Sequence, residues 1–268
     1  MKRKQLGRTD VMVPEIGVGT WKYRGGIEPL QRAIDLGATL IDTAEIYGTE
    51  DVVGRAIKDR RDAVFIATKV SGYHLRHDEV LQAAEGSLRR LGIDRIDLYQ
   101  VHWPNSRIAI RETMQAMEKL VDEGYVSYIG VSNFSAAELR EAQSVMTHHP
   151  IVSDQVLYNL NRRDIEQELL PYCQQQHITI LAYTPLDSGA LAGPTPGQAS
   201  EKMRALGQVA SEVQKTPAQV ALNWCAFHPH VIAIPKSNSA ARVEENCGAS
   251  GWRLTSSQMQ RLNVLFAA

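Results

Sequence analysis

The sequence has little of what several large protein classes require. Its three cysteines, Cys173, Cys225 and Cys247, are odd in number and widely spaced, with no C-x-x-C pair among them. Neither a disulfide framework nor a zinc site is therefore expected. No stretch of about 20 apolar residues offers a membrane span. The N-terminal Met1-Lys2-Arg3-Lys4-Gln5-Leu6-Gly7 is charged and leads into no apolar signal core. An excess of either charge is missing too: 29 Lys and Arg stand against 30 Asp and Glu. A nucleic-acid partner would need a clustered basic face, and Arg60-Arg61, flanked by Asp59 and Asp62, reads instead as a solvated helix end. Nor does a G-x-G-x-x-G follow any strand-like run, since Gly17-Val18-Gly19 lacks the third glycine, so a Rossmann-type dinucleotide site is not indicated. What remains is a soluble protein of a reducing cytoplasm, monomeric or weakly self-associating, whose partners are small molecules and neither nucleic acid nor membrane.

The chain of 268 residues, 44% hydrophobic, can bury one substantial core. Its length is near the ~250 residues of a (β/α)8 barrel, although open α/β sheets of this size also exist. The pattern favours the barrel. Short apolar runs rich in Val, Ile and Leu occur at 16–20, 40–43, 64–69, 95–102, 126–132, 152–156, 178–184 and 231–235. Such brief, continuous runs suit parallel strands buried on both faces. Between them lie segments with helical spacing: 27–36 before Gly37, 78–91 before Gly92, and 110–123 before Gly124. Ser135 and Glu138 form an N-cap and N3 pair, and Thr216 caps a helix with Pro217 at its first position, running through Cys225. Arg107 is read as the start of the fourth helix. Ahead of the first repeat, 4–6 and 11–13 flank Gly7-Arg8-Thr9-Asp10 as a β-hairpin closing the bottom. The expectation is an α/β (β/α)8 TIM barrel, a single domain over 1–268.

In such a barrel, chemistry gathers where strands end. The second strand ends in Asp42, with Tyr47 one turn later; the third ends in Lys69 and the fourth in His102. A strand-end Asp is often a helix cap, and a lone Tyr or His is more often structural than catalytic. Four such groups on three neighbouring strand ends share one mouth, and that favours function. The set suits carbonyl reduction. Hydride arriving at carbon leaves charge on oxygen, which must be protonated. A free phenol has a pKa of about 10. An ammonium ~4 Å away, at an effective dielectric of ~20, stabilises the phenolate by about 4 kcal/mol, up to ~3 pKa units. Lys69 is therefore expected to acidify Tyr47, Asp42 to keep Lys69 cationic, and His102 to align the carbonyl.

At these residues the sequence resembles the aldo-keto reductase family, in a bacterial-type, short-loop form. Asp42-Thr43-Ala44-Glu45-Ile46-Tyr47-Gly48 matches the family's D-T-A-x-x-Y-G, Thr68-Lys69 its T-K, and His102-Trp103-Pro104 its H-W-P. Gly130-Val131-Ser132-Asn133-Phe134, Gln155-Val156-Leu157-Tyr158-Asn159, Ala182-Tyr183-Thr184-Pro185-Leu186, Ile234-Pro235-Lys236-Ser237 and Arg242-Val243-Glu244-Glu245-Asn246 follow in family order. The resemblance runs from Gly19-Thr20-Trp21 to Asn246. It implies an NADPH/NADP+-dependent oxidoreductase acting on small carbonyl substrates, with Tyr47 as acid/base and Asp42, Lys69 and His102 in support. By the same matching, Ser132, Asn133 and Gln155 hold the nicotinamide carboxamide and Tyr183 stacks on its ring. Lys236, Ser237 and Arg242 grip the 2′-phosphate, while Glu245 and Asn246 meet the adenine. Gly19, Thr20, Trp21, Thr184, Pro185, Leu186 and Asn238 complete the expected cofactor contacts. Trp21, Tyr47, His102 and Trp103 are the expected substrate walls, and no metal is expected.

Charge gives separate support for NADPH, because Lys236 and a forked Arg242 either side of a helix start make a phosphate clamp. Thr184 stands where the family more often has serine. Short loops after strands 4 and 7 imply an open pocket, and Gly189, Gly193, Pro194, Pro196 and Gly197 predict a mobile flap. Three rivals remain: a Schiff-base aldolase using Lys69, an NADPH-binding regulatory barrel with little turnover, and a metal-dependent hydrolase. Asp42 weighs against the first by holding the lysine protonated. The complete tetrad weighs against the second, and the lack of a second histidine near His102 at ligand spacing against the third.

Overall fold

The computed structural model describes residues 1–193 and 200–267. A two-stranded antiparallel hairpin, β1 (Arg3–Gln5) and β2 (Met12–Pro14), precedes eight parallel strands. These are β3 (Val18–Gly19), β4 (Leu40–Asp42), β5 (Phe65–Val70), β6 (Ile96–Val101), β7 (Val126–Ser132), β8 (Ile151–Leu157), β9 (Thr179–Tyr183) and β10 (Val231–Ala233). Each pairs with the next in chain order. A parallel bridge from Ile16 to Ala233 joins the last strand to the first, so the sheet is a closed (β/α)8 barrel. Among the described residues the helices are α1 (Glu28–Asp35), α2 (Glu50–Ile57), α3 (His77–Leu91), α4 (Ile110–Asp122), α5 (Ala136–Ser144), α6 (Leu169–Gln176), α7 (Glu201–Glu212), α8 (Pro217–Cys225), α9 (Ala240–Cys247) and α10 (Ser256–Leu265). No helix among the described residues is long and apolar enough to cross a membrane.

The expected caps form. Ser135 Oγ accepts from Glu138 N at 3.3 Å while the Glu138 carboxylate accepts from Ser135 N at 2.8 Å. Thr216 and Gln219 make the same reciprocal pair at the start of α8. Helix α3 stops where Gly92 turns left-handed at φ 64°, a conformation glycine enters without a Cβ penalty.

Two expectations need correction. Helix α4 begins at Ile110 rather than Arg107, because Asn105 closes a turn there: its side chain accepts from Arg107 N and its carbonyl from Ile108 N. Arg61 is not a solvated helix end. It pairs with Asp97 at 2.9 Å and donates to the carbonyls of Val64 and Arg95. Of the predicted flap, 194–199 lie outside the described residues.

Strand periodicity divides the barrel interior into two layers, since residues two apart share a face. The lower layer is apolar: Leu40, Ala67, Leu98, Val152, Leu181 and Ile232 pack against Leu6 and Val13 of the hairpin region. Two positions further along the same strands stand Asp42, Lys69, Gln100 and Tyr183. The hairpin thus plugs the bottom and the polar layer faces the mouth. Lys4 fastens the plug. Its Nζ donates to the carbonyls of Ala226, His228 and Val231 at 2.6, 2.7 and 2.6 Å. A Lys4→Met chain leaves these carbonyls without their donor and is expected to lose about 1–3 kcal/mol, read from the urea midpoint with an unchanged slope.

Candidate active site

The residues singled out at the strand ends come together in the mouth. Lys69, fully buried, donates to Asp42 Oδ1 at 2.6 Å and to the Thr43 carbonyl at 2.8 Å, and lies 3.4 Å from the Tyr47 hydroxyl. Those three oxygens match the three N–H bonds of an ammonium. Burial pulls the Lys69 amine below its ordinary range, and the adjacent Asp42 opposes that pull. Asp42 Oδ2 accepts from Gln155 Nε2 at 2.7 Å and from Gln100 Nε2 at 3.2 Å. Both oxygens of the buried carboxylate are therefore bonded.

Tyr47 rides on a single 3-10 turn, Glu45–Tyr47, that follows β4 and ends at the left-handed Gly48. Glu45 anchors this turn to the end of β5 by accepting from Ser71 N and approaching His74. The expected acidification of Tyr47 does not occur. Burial pushes the phenol well above its ordinary value, and the Asp42 carboxylate pushes in the same direction. The reason is geometric: Lys69 lies closer to Asp42 than to the phenol, so the pair acts at Tyr47 nearly as a neutral unit. Tyr47 is held protonated throughout the neutral range.

His102 Nε2 sits 3.2 Å from the Tyr47 hydroxyl. Burial, with Lys69 as a second cause, brings the imidazole down to about 3, so it is neutral at ordinary pH. Its Nδ1 is buried with no hydrogen-bond partner among the described residues. An unmet acceptor is better tolerated there than an unmet N–H, which favours the tautomer with its proton on Nε2, facing the phenol.

Around this set runs a chain of rings. Trp21 stands 4.8 Å from Tyr47, Tyr47 5.3 Å from His102, His102 4.7 Å from Trp103, and Trp103 5.4 Å from Tyr73, centroid to centroid. Gly72 permits the last contact, because a Cβ there would fall 2.0 Å from the Trp103 indole nitrogen.

The residues matched to the cofactor divide into two groups. At the mouth, Asn133 in a left-handed conformation donates to the His102 carbonyl at 3.0 Å and to Ser132 Oγ at 3.1 Å, and accepts from the Tyr183 hydroxyl at 3.0 Å. Ser132 donates to the Gln155 carbonyl at 2.8 Å, while Gln155 turns its amide to Asp42. Thr20 lies inward, its hydroxyl on the Asp42 carbonyl and on Thr49. The Thr184 carbonyl accepts from Asn159, and Pro185 is buried beside a half-buried Leu186. Near α9, Lys236 is exposed, Ser237 and Asn246 are buried, and Asn238 accepts from Arg24 N at 2.9 Å. Arg242, also exposed, pairs with Glu245 at 2.5 Å across one helical turn. Gly19 lies tight against Ile234, whose carbonyl would be 2.9 Å from a Cβ.

Three contributors escape sequence reasoning. Gln100 is a polar residue interrupting the apolar run of β6, and that interruption was the available signal. Glu45 and Tyr73 carry no signal of their own, because their roles depend on loop paths.

A closed parallel barrel with a buried ammonium, a protonated phenol and a neutral imidazole at its mouth defines a site for moving a proton at an oxygen. The comparisons give that site its family. The model of the Aldo/keto reductase family matches residues 15–266. Methylglyoxal reductase YeaE of Escherichia coli is 38% identical over 97% of this chain and 93% of its own length. The 9,11-endoperoxide prostaglandin H2 reductase of Trypanosoma cruzi is 35% identical over 95% and 88%. The crystal structure of the thermostable aldo-keto reductase Tm1743 with the inhibitor epalrestat superimposes with a TM-score of 0.92 at 41% identity, covering 99% of this chain and 100% of that one. An aldo/keto reductase from Klebsiella pneumoniae in complex with NADP and acetate gives 0.88 at 38% identity, covering 99% and 95%. The chain belongs to the aldo/keto reductase family and is an oxidoreductase.

The His102 environment sets an acid limit on stability. Its folded value of about 3 lies below the ordinary 6.5, so the unfolded chain takes up the proton first. Its contribution is complete above about pH 6.5 and is lost as pH falls toward 3. Proton NMR is expected to show no titration of the His102 ring between pH 5 and 8, and a ring shift centred near 6.5 would contradict the burial argument.

Proposed function

We propose that this chain, acting as one domain over residues 1–268, reduces small aldehydes and ketones with NADPH, with Tyr47 as the proton donor. The observation that carries the reading is the Tyr47 hydroxyl set between Lys69 Nζ at 3.4 Å and His102 Nε2 at 3.2 Å. A carbonyl oxygen brought to that point meets a phenol O–H and an imidazole N–H together. As hydride reaches carbon, negative charge grows on the oxygen and draws the phenolic proton. Alcohols are weaker acids than phenols, so the transfer runs downhill even from a phenol whose pKa burial has raised. Lys69, with an N–H aimed at the Tyr47 oxygen, positions the phenol for this transfer, and Asp42, with Gln100 and Gln155 on its second oxygen, holds Lys69 charged and in place. Acidity of the free phenol is not needed for this role; protonation at neutral pH is.

The residues present fit a nicotinamide dinucleotide phosphate, and the NADP bound by the Klebsiella pneumoniae relative supports that cofactor. When bound, NADPH supplies the hydride. Ser132, Asn133 and Gln155 offer hydroxyl and amide groups for its carboxamide, and Tyr183 a ring for stacking. Beyond β10, exposed Lys236 and Arg242 flank the Ser239-capped start of α9, a setting suited to a phosphate. The Arg242–Glu245 pair is solvent-exposed on its arginine side and worth little in water, so Arg242 can exchange Glu245 for a phosphate at small cost. Trp21, Trp103 and Tyr73 wall an open mouth that suits small carbonyl compounds. An aldolase role for Lys69 is disfavoured because its amine is committed to three oxygens.

Tyr47→Phe is expected to lower kcat for a small aldehyde by at least about 100-fold while leaving NADPH affinity within about twofold, read by fluorescence titration and steady-state kinetics. Unchanged turnover would remove Tyr47 from the chemistry. Arg242→Ala is expected to weaken NADPH by about 1.5–3 kcal/mol, as for a lost charge-assisted contact, with little effect on NADH. Equal losses for the two cofactors would rule out a 2′-phosphate contact.

A further inference from the structure

The geometry points to a divalent transition-metal site on the face of the barrel opposite the mouth, formed by Asp122, His148 and His149. Asp122 is the last residue of α4, and the histidines lie in the loop from α5 to β8, just ahead of Ile151. Helix ends and strand starts meet at the bottom of such a barrel, so the proposed reduction does not use these groups. Asp122 Oδ1 lies 2.8 Å from His149 Nε2 and 3.0 Å from His148 Nε2, and one donor atom from each residue falls within 4.8 Å of the other two. Tetrahedral zinc, with bonds of about 2.0–2.2 Å to nitrogen and oxygen, spaces its donors by about 3.3 Å. Small side-chain rotations open the triad that far.

The loop is held in the conformation such a site requires. Glu118, one turn before Asp122 on the same helix and buried, accepts from the backbone N–H of Thr147, His148 and His149 and from Thr147 Oγ1. One carboxylate thus fixes three consecutive residues and hangs both imidazoles over Asp122, so little further ordering is needed on binding.

A second observation concerns proton placement. Thr147 donates its hydroxyl hydrogen to Glu118 Oε2 at 2.8 Å, so its oxygen accepts at 2.7 Å from His148 Nδ1. That bond fixes the proton of a neutral His148 on Nδ1 and turns the Nε2 lone pair toward Asp122 Oδ1. Metal-bound histidines are oriented by this kind of outer hydrogen bond. Two carboxylates and the negative end of the α4 dipole favour a cation here, and two imidazoles with one carboxylate select Zn2+, Ni2+ or Cu2+ over Mg2+ or Ca2+. Asp122 lies 26 residues before His148, so no local motif announces the triad in the sequence.

Isothermal titration of the full chain with Zn2+, against His148→Ala, His149→Ala and Asp122→Asn, tests the site. One equivalent is expected to bind the unaltered protein, with the isotherm lost in either histidine variant and affinity reduced by about tenfold or more in Asp122→Asn. Zn2+ is also expected to raise Tm in the unaltered protein, reversibly with EDTA, and not in the histidine variants. Circular dichroism establishes that each variant is folded. Failure of the unaltered chain to bind Zn2+ at micromolar concentrations would reduce the triad to an ion pair, and binding that persists unchanged in both histidine variants would place the metal elsewhere; either result overturns the proposal.

Discussion

The mouth of this barrel is organised by one buried ion pair, Lys69 with Asp42. Two charges taken out of water are costly unless every remaining donor and acceptor is met. Here the ammonium meets Asp42, the Thr43 carbonyl and the Tyr47 hydroxyl, while the carboxylate meets Lys69, Gln100 and Gln155. Satisfying the pair draws together β4, β5, β6 and β8 and fixes where the phenol stands. Removing one partner of such a pair typically costs about 3–5 kcal/mol, because the other charge is left unmatched.

The same pair explains why acidification of Tyr47 was the wrong expectation from sequence. Spacing along the chain puts a lysine near a tyrosine but cannot say that the lysine lies closer to an aspartate than to the phenol. Once the charges neutralise each other, desolvation governs the phenol, and desolvation favours the uncharged form. The corrected picture fits the proposed direction of reaction, since a donor must hold its proton until charge appears on the substrate.

Most of the architecture was legible in the sequence. Eight buried strands announced themselves as short runs of branched apolar residues, and the Ser135 and Thr216 caps were visible from residue type and spacing alone. Asp42, Lys69 and His102 could be found because parallel barrels put strand ends on one face. What escaped depended on backbone path. Asn105 closes a turn that delays α4 to Ile110, Arg61 reaches across to Asp97, and Glu45 ties the Tyr47 turn to Ser71. The phosphate role proposed for Arg242 rests on residue type, whereas its partnership with Glu245 one turn later shows only in three dimensions.

The apolar stopper formed by Leu6, Val13 and the lower strand layer has a kinetic implication. With the floor sealed, the proposed reading brings bulk water to the phenol through the same mouth as the organic reactants. On the proposed chemistry, an occupied entrance cuts the donor off from its proton supply. Reloading of Tyr47 is then ordered after departure of the alcohol, so proton traffic and product traffic take turns through a single opening.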